Sequence, residues 1–199
     1  MVQAKYNFRS SSSSRGFSLV EVLVSMGLLT VVSLGVAQLF AVSARANYVA
    51  KGQTSTTALA EQKLEQLRAL TWGFDADGQG LPVSDTSTNL ATDPASSTGG
   101  GLNPSPSDSL ASSQTGYVDY LDGNGQYVGT GTQIPGAAVY VRRWSVQPLP
   151  TNPNNTLILQ VFVSPVSNEQ VRQQGGGSGP LRRMPGDALL VSVKTRKAQ

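Results

Sequence analysis

The chain has 199 residues, enough for one domain plus an anchor or at most two small domains. It contains no Cys and no His, which excludes thiol nucleophiles, disulfides, the usual zinc sites and every Ser-His-Asp or Cys-His arrangement. The net charge of +3 is carried entirely by Lys5, Arg9 and Arg15 in a prefix without acids, and the rest of the chain is neutral. That distribution reads as a topology signal and argues against nucleic acid as a partner.

The chain divides into successive segments, with no internal repeat. Residues 1–16 form a polar, basic leader with a serine run from Ser10 to Ser14. From Phe17 to Val42 the sequence is almost wholly apolar, and Glu21 is its only charge. At about 1.5 Å per residue, such a helix exceeds the roughly 30 Å hydrocarbon core of a bilayer. Residues 17–45 are therefore expected to span a membrane, with the basic leader cytoplasmic and the remainder on the far side. No small-residue cleavage site of the secretory kind follows within the span.

Residues 46–72 are expected to continue the helix with amphipathic character. Ala60, Leu64, Leu67 and Leu70 recur at three-to-four-residue steps, with Glu61, Lys63, Glu65 and Arg68 between them. Trp72-Gly73 marks its expected end. Residues 73–116 are mostly Ser, Thr, Gly, Pro, Asn and Asp, which predicts a long exposed loop.

Residues 117–199 alternate like strands. Tyr117–Leu121 and Gln126–Val128 flank Asp122-Gly-Asn-Gly, a hairpin signal. Val139–Gln147 places Tyr140, Trp144 and Val146 on one face. In Thr156–Ser164 the residues Leu157, Leu159, Val161 and Val163 share a face, and in Ala188–Thr195 so do Leu189, Val191 and Val193. Gly175–Gly179 is read as the loop before the last strand. Such a sheet needs a cover, and the stripe around Leu64 and Leu67 is the expected one. The fold class is α+β.

The run Arg15-Gly16-Phe17-Ser18-Leu19-Val20-Glu21 resembles the processing site of type IV prepilins and type II secretion pseudopilins. The resemblance covers about residues 15–70 and is weaker beyond, where only the order of helix, variable loop and antiparallel strands matches. It implies a pilin-like fold and cleavage by a prepilin peptidase between Gly16 and Phe17. It further implies methylation of the new Phe17 amine and pairing of Glu21 with that amine on a neighbouring subunit. Implied partners are other pilins or pseudopilins, an inner-membrane assembly platform and membrane lipid, with the outer domain periplasmic. A carboxylate at the centre of a membrane helix costs about 2.5–3.5 kcal/mol if charged, so Glu21 is a functional-site candidate by default. Its place near the helix start, where dipole and headgroups lower that cost, is the blander explanation.

The chain lacks the mid-helix Pro of common major pilins, with Gln38 at that position, and it lacks their C-terminal Cys pair. The opening from Phe17 and the stretch Ala60–Arg68 look more like minor pilins of the PilV type, with the type II secretion pseudopilin of the I type a close second. Type IV pilus assembly is the implied function. A single-pass membrane sensor is the alternative of another class, and it leaves the Gly-Phe site and Glu21 unexplained. Paired-carboxylate catalysis is disfavoured because the acids are scattered in loops, so the chain is read as no enzyme.

No cofactor is expected. Asp75-Ala-Asp77-Gly-Gln79 and Asp122-Gly-Asn124-Gly-Gln126 faintly resemble calcium loops, but Thr86 and Gln133 stand where a twelfth-position Glu is required, and turn chemistry is preferred. The pairs Arg142-Arg143 and Arg182-Arg183 are read as solvated charges.

Overall fold

The computed structural model describes residues 16–75, 77, 79–174 and 181–197. The leader through Arg15 and the expected loop Gly175–Gly179 lie outside the described residues. The chain forms two units, one ending at Ala46 and one beginning at Asn47.

Helix α1 runs Leu19–Ala69 without a proline. It starts two residues later than expected and ends sooner, because Trp72 is drawn into a strand. All side chains from Gly16 to Ala50 are exposed. In the second unit, Thr56, Ala60, Lys63, Leu64 and Leu67 make a buried stripe.

That unit holds a two-stranded sheet, β1 (Trp72–Phe74) with β2 (Pro82–Ser84), and a five-stranded antiparallel sheet. The larger sheet contains β3 (Val118–Leu121), β4 (Tyr127–Thr130), β5 (Tyr140–Pro148), β6 (Thr156–Pro165) and β7 (Ala188–Thr195) in the order β4-β3-β5-β6-β7. The architecture is α+β, a long N-terminal helix followed by an antiparallel sheet, consistent with a pilin-like fold.

The core lies between the α1 stripe and one face of this sheet. Ala60, Leu64 and Leu67 meet Trp144, Val146, Leu157, Leu159, Val161 and Val163, as the alternation in β5 and β6 predicts. A buried leucine such as Leu67 contributes roughly 1.5–3 kcal/mol. On the opposite face, Val118, Tyr120 and Val141 pack with Val166 at the start of α2 (Val166–Gln174), a helix absent from the sequence reading.

Strand β7 differs from expectation. Ala188 and Leu190 face the core, whereas Val191 and Val193 stand 57% and 56% exposed on the outer face. Register with β6 decides this: Val161, a core residue, pairs with Leu190, so the odd-numbered residues of β7 point away.

The segment expected as an exposed loop contributes Leu90, Ala91 and Leu102 to the core. Gly99, Gly100 and Gly101 sit where a Cβ would press on neighbouring atoms. A Cβ on Gly101, at φ +52°, would lie 2.4 Å from the Asp85 carbonyl oxygen. Asp85 organises the same turn, its Oδ1 accepting from the Ser87 and Thr88 amides and its Oδ2 from the Thr88 hydroxyl. Partial burial raises its pKa, but these three hydrogen bonds outweigh that and leave it lowered.

Candidate processing and assembly segment

Gly16, Phe17 and Ser18 precede the helix in non-regular backbone, and Phe17 is 84% exposed. A Cβ at Gly16 would meet nothing within 4 Å, so the chain's own fold places no demand for glycine there. The first helical hydrogen bond runs from the Val22 amide to the Ser18 carbonyl at 3.1 Å, which makes Ser18 the residue at which the helix opens.

Glu21 lies in the first turn of α1, where a negative charge suits the helix dipole. Ser18 and Glu21 have the spacing of a reciprocal cap. Among the described residues, neither the Ser18 hydroxyl nor the Glu21 carboxylate takes a hydrogen bond or an ion pair. The carboxylate is thus not committed to its own helix. The nearby hydroxyls are: Ser25 Oγ donates to the Glu21 carbonyl at 2.7 Å and Thr30 Oγ1 to the Met26 carbonyl at 2.8 Å. Internal bonds of this kind let hydroxyls sit in an apolar helix without water. The helix is long and apolar enough to cross a membrane, and none of its most apolar window is buried.

The buried charged residues of the second unit were not visible as a group in the sequence. Lys63 Nζ lies 2.7 Å from Asp119 Oδ2 and donates to the Leu90 carbonyl at 2.7 Å. It also sits 4.6 Å from the centre of the Trp144 ring. Arg142 binds Asp119 through two parallel bonds of 2.8 Å and donates to the Leu59 carbonyl and Gln62 Oε1 of α1. Burial, the largest cause, lowers the Lys63 pKa to about 8; Asp119 and Asp93 oppose the shift and Arg142 adds to it.

On the other face Arg143 binds Glu169, which also pairs with Arg172 at 2.9 Å, and Arg172 reaches Asp187. Arg142 and Arg143 are therefore buried ion-pair members, correcting their reading as solvated charges. Neighbours on a strand point to opposite faces, and each face supplies an acid. Arg182 and Arg183 are exposed. The faint calcium motif at Asp122 behaves as a turn, its Oδ1 accepting from the Asn124 and Gln126 amides at 2.8 Å, while Asp75 Oδ1 accepts from the Leu81 amide. Among the described residues no three acids cluster as metal ligands.

The N-terminal segment is similar to a known family. Residues 11–37 match the model of the prokaryotic N-terminal methylation motif, a family that is structural and not catalytic. No curated protein matches the chain, and no solved structure does. The matched span takes in Gly16, Phe17, Glu21 and the opening of α1. This motif, with the exposed apolar helix that follows it, supports a type IV pilin or pseudopilin, consistent with a membrane anchor at its N-terminus.

Proposed function

We propose that the chain is a minor pilin subunit, cut by a prepilin peptidase between Gly16 and Phe17 and methylated on the Phe17 amine. It is anchored in the inner membrane with its sheet domain periplasmic, and it is assembled through α1 into a type IV pilus or its initiating complex. Its role is structural, not enzymatic. The observation that carries this reading is the methylation motif over residues 11–37, which takes in the start of an exposed apolar stretch, Phe17 to Val42, whose one acid, Glu21, lies in the first turn of α1.

The physical logic follows from the bilayer. The exposed apolar side chains around this stretch favour lipid or other helices of the same kind. A carboxylate there is stabilised by pairing with a cation, and cleavage after Gly16 would create an ammonium at Phe17. In a bundle of such helices, the Phe17 ammonium of a neighbouring copy can supply that counter-charge. Gly16, which its own fold does not require, fits a need for close backbone approach by the peptidase.

Mass spectrometry of the membrane-extracted chain should find a methylated N-terminus at Phe17. Glu21→Ala should leave cleavage and insertion intact while lowering recovery in sheared filaments by about tenfold or more, the loss expected for an unpaired charge site of a few kcal/mol. A mature chain that retains residues 1–16 would overturn the reading, as would full recovery of the Glu21→Ala chain in filaments. Deletion that abolishes protein secretion but spares twitching would instead assign it to a type II secretion pseudopilus.

A further inference from the structure

Strand β7 is the last in the order of the larger sheet, so one of its edges has no neighbouring strand in that sheet. In an antiparallel ladder alternate residues turn their backbone N–H and C=O toward one neighbour, and the residues between turn them away. The Arg196 amide donates to Asn155 at 2.9 Å, which sets the phase. Even-numbered residues of β7 face β6, and Leu189, Val191, Val193 and Thr195 direct their backbone groups off the edge. Among the described residues nothing takes up those groups. The side chains of Val191 and Val193 are exposed beside them.

Edges of this length are usually blunted by a charge, a proline or a bulge. At its outward positions β7 has none of these, and its register with β6 is unbroken. Just past its end the Lys197 amide donates to the Trp72 carbonyl of β1 at 3.4 Å. At that end a cavity of about 430 Å³ opens, lined by Arg68, Lys194 and Lys197 with the aromatic walls Trp72 and Phe74. Lys194 donates to the Arg68 carbonyl, and Arg68 pairs with Glu65 across an exposed i,i+3 contact. Burial and the charges of Lys197 and Arg68 lower the Lys194 pKa, a sign that cations crowd this cavity.

We propose that the β7 edge binds an extended segment of another protein chain, with apolar side chains at alternate positions beside Val191 and Val193 and carboxylates at the end entering the basic cavity. Free backbone groups supply the affinity and the two-residue period supplies the selection for alternation. The cations select the acidic end. This inference stands whether or not the chain joins a filament.

The test uses the full-length chain in detergent and a fluorescent eight-residue peptide that alternates valine and threonine and ends in two glutamates. Anisotropy should show saturable binding, weakened about tenfold or more by Val193→Lys and by Val191→Pro. Proline at 191 removes only an N–H that points off the sheet, so the pairing with β6 is kept. Ending the peptide in two lysines should weaken binding several-fold, as should added salt. Circular dichroism melting establishes that each variant is folded; if Val191→Pro is not, Val193→Lys and the lysine-ended peptide carry the test. Absence of saturable binding at millimolar peptide would overturn the proposal. So would equal binding of the two peptides, binding indifferent to Val193→Lys, or self-association through this edge that Val193→Lys abolishes.

Discussion

The two halves of α1 invert the usual relation between polarity and burial. From Leu19 to Val49 the helix is mostly apolar and fully exposed, with one acid that has no partner among the described residues. From Thr56 to Leu67 it is rich in polar residues, yet it buries a lysine with its counter-charge supplied by the same chain. The first half has a surface that only lipid or other helices suit; the second finds everything it needs in its own domain. Side-chain chemistry alone therefore does not say what a helix touches. What matters is where the matching group is found.

The largest effect on this contrast should come from Asp119→Ala. It leaves Lys63 and Arg142 buried together without their shared anion, which is expected to cost about 3–5 kcal/mol. Denaturant unfolding of the detergent-solubilised chain, followed by tryptophan fluorescence, reads this directly, because Trp144 lies under Lys63. An effect under about 1 kcal/mol would mean that the network is looser than its geometry.

A smaller effect is expected from pH. Lys63 has a folded pKa of about 8 against an ordinary 10.5. Below about 8 it is charged in both states, and the cost of burying the ammonium is fully present. Between about 8 and 10.5 the unfolded chain holds the proton that the folded chain has released, so stability rises with pH. From pH 8 to 9.5 the gain should be about 1–2 kcal/mol, and Lys63→Met should flatten it. The window stops short of 10 because Tyr117 and Tyr127 have raised pKa values, chiefly from burial. As pH passes the ordinary tyrosine value they bind protons more tightly when folded, and stability falls. The smallest effect belongs to Glu65→Ala. Its pair with Arg68 is exposed on both sides, and removal should change stability by no more than a few tenths of a kcal/mol.

Where local pattern and final environment agree, the sequence was a good guide. The long helix follows from an apolar run without proline, and the core faces of β5 and β6 follow from clean alternation. The methylation motif over residues 11–37 is contiguous and could be read directly. The failures share a cause. Lys63 lies one place from the apolar stripe and reads as solvent-facing, because its partners Asp119 and Leu90 come from distant segments. In β7 both alternating sets contain apolar residues, and only pairing with β6 decides which set is buried. The loop of small residues resembled a disordered tract, yet Gly101 is small because the Asp85 backbone passes against it. Helix α2 carries almost no apolar period, and it is held by Glu169 and Arg172.

The cluster around Asp119 has a mechanical consequence. Its members come from the later half of α1, from β3 and from β5, and the carboxylate is the common hinge pin. Sliding the helix along the sheet by even one residue would separate Lys63 and the half-buried Leu59 carbonyl from their mates and leave the buried Lys63 ammonium unpaired. A tug on this stretch of helix would therefore meet a short, stiff restraint, one that yields abruptly and does not creep.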